Sequence, residues 1–124
     1  MSVTDLPPPA AVERLLIWHQ GALGDLLLAG PALVALSRHY AGARITALGH
    51  PERWGLYARS LPLDERWDSG EARWVHLFSN GDVPPPIQQR LARFQLALVF
   101  SPHPQTILQA RLQQAGIPAV HWLP

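Results

Sequence analysis

The sequence predicts an α/β fold, a mostly parallel sheet between helices in three layers, α/β/α. Three observations point there. Short, continuously apolar runs such as "LLIW", with a glycine three residues on, and "LALVFS", followed by proline, fit strands covered on both faces. Stretches with apolar residues at helical spacing lie between them. Alternation of the two kinds implies right-handed crossovers and a parallel sheet.

Proline fixes φ and biases the residue before it away from helix, so "MSVTDLPPPAAVE" reads as an extended lead-in over 1–13. "LLIW", Leu15 to Trp18, is the first strand. From Gly24 to about Tyr40, Leu27, Leu28, Ala32, Leu33 and Leu36 recur at helical spacing, with Arg38 and His39 where positive charge is favoured. Pro31 either kinks this helix or marks a break with the main helix starting there. "ARITALG", Ala43 to Gly49, is a second strand, and "PERWGLYARSL" a short helix opened by proline. Between Asp64 and Val83, "DERW" and "WVHLF" fit either two short strands or a strand and a helical turn. After Pro84 to Pro86 come a helix "IQQRLARF", a strand "LALVFS" from Leu96 to Ser101, a helix "TILQARLQQAG" stopped by Gly116, and a last strand "IPAVHWL".

With 124 residues, 48% hydrophobic and 15% charged, the chain suits one domain spanning 14–124. A formal charge of +1 supplies no field to attract nucleic acid. Cysteine is absent, which excludes disulfides, thiolate nucleophiles and cysteine-ligated metals. The acidic, proline-rich start lacks the basic and apolar regions of a signal peptide, and no apolar run approaches the ~20 residues of a membrane span, so a cytoplasmic location is expected. His39, His50, His76 and His121 lack ligand spacing, and no metal site is expected. Trp54, Trp67 and Trp74 read as core anchors before they read as platforms for sugar faces.

In open parallel sheets ligands approach the carboxyl ends of the strands where chain order reverses. The loop from His19 to Asp25 takes that place after the first strand, and a 3-2-1-4-5 order sets Ser101 and His103 beside it. "GALGD" within this loop lacks the third glycine of a dinucleotide fingerprint and the Lys-Ser/Thr of a phosphate loop. What remains is a glycine-relaxed turn carrying one carboxylate to a helix N-terminus, where negative charge is favoured. Asp25 is then either an N-cap or a functional carboxylate. Gly21 and Gly24 either admit a ligand close to the backbone or supply positive φ in a tight turn.

Taken whole, "RLLIWHQGALGDLLLAGPALVALSRHYAGARITAL" resembles the opening of the heptosyltransferase-like glycosyltransferases, glycosyltransferase family 9. Strand, "GD", "PAL" and the "ARIT" strand follow in the family's order and spacing, and a weaker likeness runs through "LALVFSPHPQTILQARLQQAGIPAVHWL". The resemblance implies a Rossmann-like N-terminal lobe of the GT-B type, which binds the acceptor, with the C-terminal nucleotide-sugar lobe absent from this chain. It implies a heptose-like sugar carried on a nucleoside diphosphate as donor substrate, no cofactor, and a lipopolysaccharide-type, glycan or lipid-linked acceptor. Peripheral association with the inner face of the cytoplasmic membrane is a further implication. Asp25 maps onto the family's Gly-Asp aspartate, the implied general base of an inverting transfer. No Asp-x-Asp pair is present, which suits a metal-independent reaction.

His19 departs from the family, which often carries arginine or lysine there; a strand-end histidine can bond a carbonyl or donate to a ligand. Gln20 is either a loop amide or a contact to a sugar hydroxyl, and His19, Gln20, Gly21, Gly24, Ser101 and His103 are the candidate acceptor-binding set. Gln105 is a weaker candidate. A lobe without its partner would expose the interlobe face and could self-associate through it. The rival reading is a noncatalytic Rossmann-like module that binds a nucleotide or a protein; an exposed apolar face favours the transferase lobe over it.

Overall fold

The computed structural model describes residues 6–78 and 82–124. Five parallel strands, β1 (Arg14–His19), β2 (Arg44–Gly49), β3 (Leu63–Asp68), β4 (Leu96–Phe100) and β5 (Ala119–Leu123), form one sheet in the order β3-β2-β1-β4-β5. The expected 3-2-1-4-5 order and three-layer α/β architecture are observed. Helices α1 (Leu23–Leu28), α2 (Gly30–His39), α3 (Pro51–Trp54), α4 (Pro85–Leu91) and α5 (Thr106–Gln114) supply the outer layers.

Strand periodicity divides the core in two. Leu15 and Ile17 of β1 face one side with Leu26 of α1, Leu33 and Leu36 of α2, and Trp54. Leu16 and Trp18 face the other, against Trp74, Ile87, Leu91, Leu108 and Leu112. Leu15, Leu16 and Ile17 are all fully buried, and each contributes about 1.5–3 kcal/mol of transfer free energy, which is why a central parallel strand needs an unbroken apolar run. At the sheet edge β3 keeps only Trp67 buried and exposes Asp64, Glu65, Arg66 and Asp68, charges that discourage pairing with another strand.

The alternatives left open in the sequence resolve as follows. Helix 24–40 is two helices: Ala29 is both the C-cap of α1 and the N-cap of α2, and Pro31 sits in the first turn of α2, where its missing N–H costs nothing. The break changes the buried face. Leu26 packs in the core, whereas Leu27 and Leu28, read as part of the apolar stripe, are exposed. "DERW" lies in β3 and "WVHLF" in a 3-10 helix, Ala72–Phe78, so a strand is followed by a helical turn; residues 79–81 of that stretch lie outside the described residues. In the segment read as extended, Pro9–Ala11 form a 3-10 turn, favoured because proline's φ suits the first position of a turn. The Tyr40 hydroxyl donates to the Pro7 carbonyl at 2.7 Å and ties this lead-in down. Trp54, Trp67 and Trp74 are core residues: all three are buried, and Trp67 and Trp74 stack with ring centroids 5.4 Å apart.

Candidate functional site

Beyond the carboxyl ends of β1 and β4, where strand order reverses, lies a cavity of about 410 Å³. His19, Gly21 and Asp25 line it from the β1 side, Phe100, Ser101 and Pro102 from the β4 side. Leu28, Ala29 and Ala32 of the α1–α2 corner and Pro124 complete the wall.

Pairing decides which side chains meet here. Leu15 is in register with Leu96 and Trp18 with Val99, so His19 and Phe100 end neighbouring strands on the same face of the sheet. His19 is buried, its ring edge-on to Trp54 at 6.4 Å and tilted against Phe100 at 6.3 Å. Its Nδ1 accepts the Gly21 N–H at 3.2 Å, so the neutral ring carries its proton on Nε2. Burial holds the imidazole below its ordinary value, and Arg53 adds to that; backbone hydrogen bonding at His19 and Asp25 and the Asp25 carboxylate pull the other way.

The N-cap of α1 is Ala22, not Asp25. Asp25 lies in the first turn of the helix, where a carboxylate is favoured by the dipole but is one turn too far along to act as the cap. It is exposed, and among the described residues no hydrogen bond or ion pair engages its carboxylate. An unengaged carboxylate on a cavity wall can accept a proton or hydrogen bonds from a ligand.

Neither loop glycine has positive φ; among the described residues only Gly116 does, at the end of α5. The turn reading of Gly21 and Gly24 is therefore corrected. At Gly21 a Cβ would crowd the His19 ring, lying 3.0 Å from its Cε1, and would make an ordinary contact with Asp25 Oδ2 at 3.7 Å. A Cβ on Gly24 would meet nothing within 4 Å.

The cavity gathers His19, Gly21, Asp25 and Ser101; Gln20, Gly24 and His103 do not line it. Gln20 Oε1 accepts the Trp18 indole N–H at 2.8 Å. His103 is exposed, and its backbone N–H reaches Ser101 Oγ at 3.4 Å. Gln105 also donates to Ser101 Oγ, at 3.2 Å, while the Ser101 carbonyl accepts the Trp122 indole N–H at 2.8 Å. Sequence reasoning missed Arg53, whose guanidinium donates to the Gly21 carbonyl at 2.9 Å and holds the loop under the cavity. Nothing in "PERW" signals that contact across 32 positions. Phe100 and Pro124 were also missed; the end of β4 was legible as a cleft wall, but the facing of single residues was not.

Among the described residues no group of three or more His, Cys, Asp or Glu side chains converges as a metal site, and no helix is long and apolar enough to cross a membrane.

Among solved structures the chain is similar to one described as the crystal structure of the glycosyl transferase family 9 from Veillonella parvula DSM 2008. The TM-score is 0.60 at 15% identity, over 87% of this chain and 31% of that one, so the chain spans about a third of that structure's length. At this identity the likeness is one of fold, an α/β Rossmann-like fold shared with a glycosyltransferase. No family model and no curated protein matches the chain.

Proposed function

We propose that this chain is the acceptor-binding lobe of an inverting, metal-independent glycosyltransferase, with Asp25 as general base. The observation that carries this reading is the Asp25 carboxylate, unengaged on the wall of a cavity at the sheet's switch point. An acceptor hydroxyl placed there hydrogen-bonds to the carboxylate. As its oxygen attacks the anomeric carbon of a nucleotide-diphosphate sugar, the O–H proton passes to Asp25. The new C–O bond forms as the bond to the diphosphate breaks on the opposite face, which inverts the anomeric centre. His19, through Nε2–H, and Ser101, through its hydroxyl, supply hydrogen-bond capacity that orients the acceptor.

In this reading the donor is held by a second lobe. Two observations support that division: the fold match extends over about a third of a family 9 structure, and Leu23, Leu27 and Leu28 of α1 form an exposed apolar surface beside the cavity. The same apolar surface favours this reading over a free-standing module.

The test is Asp25→Asn in an enzyme that joins this lobe to a donor-binding lobe. Turnover is expected to fall by about 10²–10⁴-fold, the usual worth of a general base, while stability falls by no more than about 1 kcal/mol, the worth of a first-turn carboxylate at a helix N-terminus. Undiminished turnover would remove Asp25 from the mechanism. The 124 residues alone are expected to transfer no sugar.

A further inference from the structure

The two edges of the sheet are built differently. At β3 the open edge carries the exposed charges of Asp64, Glu65, Arg66 and Asp68, which keep a further strand away. At β5 the run "IPAVHWLP", 117–124, contains no aspartate, glutamate, arginine or lysine. β5 pairs with β4 on one side, and among the described residues no strand lies on the other.

The ladder fixes which groups that open side presents. The Leu123 carbonyl accepts the Ser101 N–H at 3.0 Å, so Leu123 turns its backbone toward β4. Direction alternates along a strand, so Ala119 and His121 turn the same way, and Val120 and Trp122 turn their N–H and C=O groups outward. Prolines bracket this row. Pro118 and Pro124 have no N–H, and each stands three residues from His121.

In hydrogen-bonding capacity the edge is therefore symmetric about His121. A second copy laid antiparallel, with His121 opposite His121, sets Val120 against Trp122 twice, and every outward N–H meets an outward C=O. The prolines then face each other. Sliding the pair by two residues either way sets a proline ring against the Trp122 or the Val120 carbonyl and leaves that carbonyl without a donor. Charge also suits a copy: Ala119, His121 and Leu123, half-buried on one face, meet Leu123, His121 and Ala119 of the second chain, and no like-charged carboxylates or guanidinium groups are brought together. An unrelated segment has no need of symmetry about one residue, whereas a two-fold axis does.

We propose that the β5 edge docks a second copy of this chain, paired antiparallel about a two-fold axis at His121 into one continuous sheet. The inference rests on the sheet edge and goes beyond the transferase reading.

The measurement is sedimentation of the 124-residue chain over a concentration series, in a Leu27→Glu background that removes an exposed leucine of α1 as a second contact. Reversible dimer is expected, with no larger species. Hydrogen exchange of the Val120 and Trp122 amides should slow as the dimer forms, and the His121 and Leu123 amides, which face β4, should change little. His121→Glu sets two carboxylates face to face on the axis and His121→Lys two ammonium groups, and each should raise the dissociation constant at least about ten-fold. His121 is half-buried, and among the described residues no hydrogen bond or ion pair engages its ring, so both variants should fold, as melting curves check. Mixing the two should restore the dimer, because a residue on the axis meets its own counterpart across the interface.

A chain that stays monomeric overturns the proposal, as do Val120 and Trp122 amides indifferent to concentration. A dimer that His121→Glu leaves intact lies elsewhere on the surface and overturns it too, and so does a Glu and Lys mixture no tighter than either variant alone. A cavity that binds no acceptor would remove the transferase reading and leave this interface standing.

Discussion

At the scale of single residues, the site depends on a buried histidine and on glycines chosen for space. His19 is disfavoured as a cation by burial, so its folded-state proton affinity lies below the 6.5 of an open histidine. The unfolded chain then binds the proton more readily than the native one, and stability rises with pH across that interval. The His19 contribution is fully present above about pH 6.5 and is lost as the pH falls through the range below it. Melting curves from pH 7.5 to 5 should show a steeper acid loss in the wild type than in His19→Gln; parallel slopes would mean that the ring is solvated. Gly49 tests the packing beneath. A Cβ there would press directly on the His19 carbonyl oxygen and come within 2.8 Å of Trp54 Nε1, both of them fixed by the sheet and the core. Gly49→Ala should therefore destabilise by about 1–3 kcal/mol, the usual cost of overpacking, as urea unfolding would show.

At the scale of elements, α1 depends on tertiary contacts to hold it. Six residues are too few for an isolated helix in water, and its Ala22 N-cap provides no side-chain bond. Leu26 anchors it in the core, and the buried Tyr57 hydroxyl donates to the Leu26 carbonyl at 2.8 Å, near the end of the helix. Tyr57→Phe deletes that bond, leaves the Leu26 carbonyl without it, and should cost about 1–2 kcal/mol. Hydrogen exchange is the discriminating readout: protection should fall in α1 and the start of α2 more than in β1. Uniform loss across the domain would mean that the bond matters only globally. The break at Ala29 was half legible, because Pro31 marks a helix boundary, yet the exposure of Leu27 and Leu28 was not. A periodic pattern assumes one straight axis, and two short helices at a corner have two.

On the scale of the whole molecule, the apolar surface of α1 has a consequence for solution behaviour. Leu23, Leu27 and Leu28, 40%, 53% and 82% exposed, lie together on one six-residue helix. The isolated chain should self-associate weakly at high concentration, and Leu27→Glu should shift sedimentation toward the monomer while changing stability by no more than about 0.5 kcal/mol. Concentration-independent monomer in the wild type would show that this surface carries no association.

Local pattern determined the alternation of strands and helices, the parallel sheet and the loop that carries Asp25, because the period of apolar residues, proline's fixed φ and glycine's lack of a side chain act over a few residues. The single-domain core followed from the same runs, since strands apolar on both sides must be covered on both sides. Pairing of β1 with β4, residues some 80 positions apart as in Leu15 with Leu96, decided that His19 and Phe100 share a face. The N-cap of α1 at Ala22, the turn at Ala29 and the grip of Arg53 on Gly21 set Asp25 on the wall of the cavity. Such contacts are set by register and by the summed packing of both cores, quantities that no short window of sequence contains.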